Sequence, residues 1–186
     1  KLKVDKDAKR IFLKNEKAYK IGEIHKQEQL SETLEYIAKN GRDGFYDGYV
    51  AKDIITKINK LGGQLSLEDL ANFQAEYVDP IKIDYNGYQV YECPPNGQGI
   101  VALMMLNILS NIDINKYEPN DYRRIHIEAE VTKLAFLHRN KYLGDPKFND
   151  IPIKKMLSKD YGMHLSNKIN ENSVLENLDI QKLENN

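Results

Sequence analysis

The side chains best placed to meet a ligand lie between a proline pair and an apolar helix. Asn96, Gly97 and Gln98 follow Pro94-Pro95 and precede the run Ile100–Ser110. Small and amide residues at a helix start can offer donors to an anion, or an amide to a polar ligand. The same residue types also make turns and cap helices, their more ordinary use, and both readings stand at this stage. His126 and Glu130 are one helical turn apart, a spacing that could clamp a divalent cation. The zincin order His-Glu-x-x-His is absent and two ligands rarely make a site, so no metal is expected. His138 beside Arg139 reads as positive charge complementing a helix C-terminus. Asp145, between Gly144 and Pro146, reads as a turn former. Cys93 has no histidine paired to it by any motif and reads as a buried cysteine at a strand end. As the single cysteine it permits no intramolecular disulfide and leaves the redox compartment open.

The elements that must position these residues are legible in the spacing. Ile81–Tyr85 and Tyr88–Glu92 alternate around Asn86-Gly87, a dipeptide suited to the two positive-φ positions of a hairpin turn. Pro94 and Pro95 end the ladder because neither can donate a backbone hydrogen bond. Ile100–Ser110 is apolar nearly all round, the mark of a helix covered on two sides. Asp121 to about Tyr142 reads as a long helix with two stripes: Ile125, Ala129, Thr132 and Phe136, then Ile127, Val131 and Leu134. Two stripes imply an inner-layer helix, which Gly144-Asp145-Pro146 ends.

Upstream, a short strand is expected around Ile11–Leu13. A helix follows from about Gln27 to Lys39, with Leu30, Leu34, Ile37 and Ala38 at helical spacing. A second runs from about Tyr46 to Leu61, turning Val50, Ile54, Ile55 and Ile58 inward and capped by Gly62-Gly63. Ser66 and Asp69 have capping-box spacing and place a short helix from Leu67. Lys154–Ile169 reads as a last helix, and the polar stretch 170–186 as a mobile tail. A lone hairpin is marginally stable, so the pattern implies sheet neighbours from elsewhere.

Bulk properties exclude several functions. With 27 basic and 28 acidic residues in 186, net charge is −1 and no single-sign block appears, so nucleic acid is not an expected partner. Twelve tyrosines and no tryptophan fall on hairpin and helix faces, where core packing outweighs base stacking. The longest apolar run is too short to span a bilayer. A start on Lys1 rather than Met is the mark of a processed or trimmed chain.

The wording of four blocks resembles the γ-glutamyltranspeptidase family, in that family's order and over nearly the whole chain. They are Gly41–Ile54 (GRDGFYDGYVAKDI), Gly62–Phe73 (GGQLSLEDLANF), the corner Gly87–Leu109 (GYQVYECPPNGQGIVALMMLNIL) and His126–Phe148 (HIEAEVTKLAFLHRNKYLGDPKF). The PPNGQG wording is similar to that of a cephalosporin-acylase-like branch. The resemblance implies an α+β chain that is one part of an αββα N-terminal-nucleophile hydrolase sandwich, mostly helical with a β-hairpin near 80–93. It implies a single segment, 1–186, of the large subunit of an autoprocessed enzyme acting on γ-glutamyl groups without a cofactor. The nucleophilic threonine would be the N-terminus of a partner small subunit, with its own α-amine as base. The arginine that holds the substrate α-carboxylate would lie in an upstream large-subunit segment. No catalytic residue maps onto this chain: Thr33, Thr56 and Thr132 all fall inside predicted helices. Asn96, Gly97 and Gln98 remain as candidates for the wall of the substrate site. The resemblance also implies a secreted or periplasmic enzyme, with the cytoplasm left open. Alternatives are a glutaryl or cephalosporin acylase, a poly-γ-glutamate-processing member, or a noncatalytic scaffold that has lost the nucleophile.

Overall fold

The computed structural model describes residues 2–176 and 179–180. Contacts divide the chain into two compact units, Lys1–Glu76 and Tyr77–Asn186.

The first unit is helical: α1 (Lys6–Phe12), α2 (Glu28–Asn40), α3 (Asp43–Tyr46), α4 (Tyr49–Lys60) and α5 (Leu67–Asn72). The expected strand at Ile11–Leu13 is instead the end of α1. Asp5 caps it by accepting from the Ala8 N–H at 2.8 Å, and Lys6–Arg10 are residues a helix tolerates well. The helix expected from about Tyr46 to Leu61 is α4, which starts at Tyr49 because Asp47-Gly48, with Gly48 at a φ of 100°, separates it from the short α3. Val50 and Ile55 are buried as expected, with Ile54 and Ile58 half-buried. α4 closes on Gly62-Gly63 by the paired bonds of a Schellman cap: Gly62 N–H to Asn59 O and Gly63 N–H to Ile58 O, both 3.0 Å. The capping box at Ser66 and Asp69 is present in both directions. α2 forms where its spacing predicts, yet no residue of it is buried, and Leu30 and Leu34 are exposed. Arg42 ties α5 to α3: it donates to the carbonyls of Ala71 (2.7 Å) and Phe73 and lies over the Tyr46 ring.

The second unit carries the hairpin β1 (Ile81–Tyr85) and β2 (Tyr88–Glu92), then α6 (Gly99–Leu109), a 3-10 turn at Ile114–Lys116, α7 (Tyr122–Tyr142), α8 (Ile153–Met156) and α9 (Lys159–Ser166). β1 and β2 pair antiparallel in the register Ile81 opposite Glu92 and Tyr85 opposite Tyr88. Asn86 (φ 49°) and Gly87 (φ 82°) supply the two positive-φ positions. α6 packs on the hairpin with one side and on α7 and α9 with the other, as its all-round apolarity requires. The core collects Ile100, Met104 and Ile108 from α6, Ile127, Val131 and Leu134 from α7, and Met156 and Leu165 from α8 and α9.

Three expectations are corrected here. The helix read over Lys154–Ile169 is two helices, because Ser158 opens a new one by accepting from the Tyr161 N–H at 3.2 Å. Only one stripe of α7 is buried. The other leaves Ile125, Ala129 and Phe136 exposed, so within this chain α7 is covered on one side. Cys93 is exposed rather than buried. In the stretch read as a mobile tail, residues 170–175 make hydrogen bonds to α7 and to the 3-10 turn. Residues 177–178 and 181–186 of that stretch lie outside the described residues.

One feature of the packing had no sequence rationale. Asn107 interrupts the apolar face of α6 and is buried, with its amide donating to Ser158 O at 2.9 Å. Gly162 of α9 faces it so closely that a Cβ there would stand 2.7 Å from Asn107 Cγ and 2.8 Å from Asn107 O. The pair sets the separation of α6 and α9.

Candidate functional site

The corner between β2 and α6 places the sequence-nominated residues. Pro95 is buried and anchors the turn, while Asn96, Gly97 and Gln98 are exposed. Gln98 is the N-cap of α6, contributing its backbone carbonyl to the Val101 N–H (2.9 Å) but no side-chain cap. Neither the Asn96 nor the Gln98 amide bonds to another described residue, so the turn does not use them. The N-terminus of α6 is already faced by protein charge. A Cβ on Gly99 would meet Glu92 Oε2 at 2.5 Å, so the absent side chain admits the Glu92 carboxylate against the first turn. An anionic ligand would compete with that carboxylate, which favours a polar or amide ligand over a simple anion at Asn96–Gln98.

Asn96 and Gln98 line a depression of about 470 Å³ with Arg139, Asn140 and Asp145. Gly97 is not part of its wall. Arg139 comes from the last turn of α7, where Nη1 donates to Asn140 Oδ1 at 2.8 Å. Asp145 is the turn former expected of it: Oδ1 accepts from the Lys147 N–H (2.9 Å) and its carbonyl from the Phe148 and Asn149 N–H groups. A guanidinium, a carboxylate and three amides on one wall can orient a polar ligand but hold no nucleophile. Sequence reasoning nominated Asn96 and Gln98 with Gly97, read Asp145 as a turn former, and missed Arg139 and Asn140 as neighbours of the two amides. The signal available was the position of Arg139-Asn140 just ahead of the Gly144-Asp145-Pro146 turn.

The other nominated residues are not brought here. His126 Nε2 bonds to Asn170 O (2.9 Å), and Glu130 is turned to Lys133 and to the Leu175 N–H, so the two do not share a ligand. His138 is fully buried rather than a surface charge complement. Its Nδ1 donates to Leu134 O (2.7 Å), and Nε2 is bonded to the Tyr161 hydroxyl at 2.6 Å, joining α7 to α9. Thr33, Thr56 and Thr132 each bond back to the carbonyl four residues earlier, at 2.9, 2.7 and 2.7 Å. None is poised as a nucleophile. Among the described residues no three His, Cys, Asp or Glu side chains stand close enough to hold a metal, and no helix is long and apolar enough to cross a membrane.

The hairpin, the helix packed on it and the following helical layer define the class. Most of this chain is shared with a γ-glutamyltranspeptidase and an acylase of known structure. The chain superposes on the γ-glutamyltranspeptidase of Helicobacter pylori with a TM-score of 0.78 at 29% identity, covering 94% of this chain and 51% of that one. Against the cephalosporin acylase of Bacillus halodurans the TM-score is 0.72 at 36% identity, covering 87% and 30%. In sequence it is 38% identical over 176 residues to a glutathione hydrolase proenzyme of Escherichia coli (strain K12), covering 94% of this chain and 30% of that protein. The γ-glutamyltranspeptidase family model matches residues 1–186. The chain belongs to the γ-glutamyltranspeptidase family, and it spans about a third of the length of the curated relatives it matches. Its α+β fold, with one two-stranded hairpin amid helices, is the N-terminal-nucleophile hydrolase fold expected from the resemblance.

Proposed function

We propose that this chain is the large-subunit portion of an enzyme that cleaves or transfers γ-glutamyl groups of glutathione-like substrates through a threonine acyl-enzyme. The observation that carries the reading is the family match over the full chain, supported by the superposition on a γ-glutamyltranspeptidase. In this reading the nucleophile belongs to a small subunit released by self-cleavage of a precursor, in keeping with the proenzyme names of the relatives. The three helical, back-bonded threonines of this chain fit that division of labour. The chain's contribution is a sheet edge, a helical layer and the wall at Asn96 and Gln98, with Arg139 and Asp145 beside the two amides and Gly97 in the turn between them.

The decisive experiment is intact mass and N-terminal sequencing of the full-length product, followed by assay with a γ-glutamyl anilide. A second chain beginning with threonine, together with anilide cleavage, is the expected result. A single uncleaved chain without activity would refute the reading and favour a noncatalytic scaffold. The likeness to a cephalosporin acylase supports a second reading, in which the same nucleophile takes a glutaryl or cephalosporin side chain. Relative turnover of glutaryl and γ-glutamyl anilides separates the two.

A further inference from the structure

Glu130 and Lys133 stand one turn apart on α7 and grip the backbone of Leu175. Both Glu130 oxygens accept from Lys133 Nζ at 3.0 Å, and Oε2 also accepts from the Leu175 N–H at 3.0 Å. Lys133 Nζ donates in turn to the Leu175 carbonyl at 3.2 Å. Glu130 is 3% exposed, one of few charged groups buried among the described residues. A carboxylate that far from water is tolerated only while its partners stay in place. Three further bonds lead into the clamp. His126 Nε2 meets Asn170 O at 2.9 Å, and Glu171 accepts from Lys116 and the Tyr117 hydroxyl, each at 2.7 Å. The segment leaving α9 is thus tied at residues 170, 171 and 175.

The polar contacts at Leu175 are with its peptide groups, while its side chain packs against the core. Polar contacts of that kind fix the path and direction of the chain. From this we infer that the Glu130–Lys133 pair is a positioning element for precursor self-cleavage, holding the polypeptide on the course that delivers its downstream part to the cleavage centre. The inference rests on the proposed function, in which the parent chain continues to a threonine and cleaves ahead of it. That step is a peptide hydrolysis: one water is consumed, a carboxylate ends the upstream chain and a free amine begins the downstream one. Neither clamp residue reacts in it.

The test uses the full-length precursor with Glu130→Gln, Lys133→Met, Lys133→Arg and Leu175→Pro. Leu175→Pro removes the N–H that Glu130 accepts together with the leucine side chain packed on the core, so it is read against Leu175→Ala, which keeps the N–H and is expected to cleave near-normally. Conversion to two chains is followed by intact mass, alongside turnover per cleaved molecule and the thermal midpoint. Glu130→Gln, Lys133→Met and Leu175→Pro are expected to slow self-cleavage roughly tenfold or more, the scale of a misplaced reacting group. Turnover of the cleaved fraction stays at the wild-type value, and Lys133→Arg keeps near-normal cleavage. Cleavage at the wild-type rate in all the variants overturns the inference, and so does a parallel loss of cleavage and turnover per cleaved molecule. A wild-type precursor that never cleaves overturns the proposed function itself, a separate outcome.

Discussion

Gly162→Ala is expected to destabilise the protein although it puts a better helix former inside a helix. Propensity alone favours the change by about 1 kcal/mol. Against it, the new Cβ would stand 2.7 Å from Asn107 Cγ and 2.8 Å from both Asn107 Nδ2 and Asn107 O. Side-chain motion relieves the first two contacts but not the third, which is backbone of α6. Overpacking of this kind costs about 1–3 kcal/mol. Turning Asn107 away also breaks its bond to Ser158 O and leaves a buried amide unpaired, at a further cost of about 1–3 kcal/mol. The balance is a net loss of about 3 kcal/mol, the middle of a range of roughly 1–5. Equilibrium unfolding of the full-length protein in urea reads it as a lowered midpoint with an unchanged slope. Asn107→Ala in the Gly162→Ala background removes the side-chain clash but not the contact with the Asn107 carbonyl. The two changes are therefore expected to couple by roughly 1 kcal/mol. A Gly162→Ala protein as stable as wild type, or more so, would show that α6 and α9 separate freely and that the pair does not set their distance.

Three other outcomes follow from the same kind of contact. The Asp121 carboxyl, N-cap of α7, is held down to about 2 from 3.8 by the Arg123 side chain and N–H, so it stabilises the fold above 3.8 and loses that effect as pH falls toward 2. Amide exchange in the first turn of α7 is expected to accelerate across that window, and Asp121→Ala is expected to remove the pH dependence. Arg42→Ala deletes the bonds to the Ala71 and Phe73 carbonyls and the stacking on Tyr46, at a cost of about 2 kcal/mol; faster exchange confined to α5 and its neighbours is the signature, and unchanged exchange there counts against the tie. Expressed alone, the 186-residue chain is expected to be aggregated or molten, with dye-binding surface and no sharp thermal transition; a cooperative calorimetric peak would contradict this.

Local chemistry made most elements legible. The hairpin, its Asn86-Gly87 turn, the Schellman cap at Gly62-Gly63 and the box at Ser66 and Asp69 each depend on residues within a few positions of one another. The errors came where a cap competed with a long apolar pattern. Ser158 starts a helix inside one that periodicity would continue, and Asp47-Gly48 delays the start of α4 to Tyr49. Burial was less legible than helix formation. The spacing of Ile125, Ala129 and Phe136 identifies an apolar stripe but cannot say whether this chain covers it. The candidate wall was half legible. Asn96 and Gln98 stand out beside two prolines, but their meeting with Arg139 depends on α6 and α7 packing across the core. The close pair Asn107 and Gly162 was invisible, since neither residue signals a contact until the helices cross.

The exposed surface of the second unit bears on what the chain does in its parent. Among the described residues its sheet has two strands, and Tyr88 and Tyr91 stand exposed on it. A two-stranded sheet with one helix behind it is weak in water, and exposed apolar side chains add nothing to its stability until something covers them. Together with Ile125 and Phe136 on α7, these residues mark faces built to be covered rather than to meet solvent. The Escherichia coli relative is about three times as long as this chain, and in the proposed enzyme the covering elements would come from such a remainder. That arrangement gives the buried clamp at Leu175 its physical sense. If later parts of the proposed precursor complete the sheet, the unit gains from fixing the direction in which the chain departs.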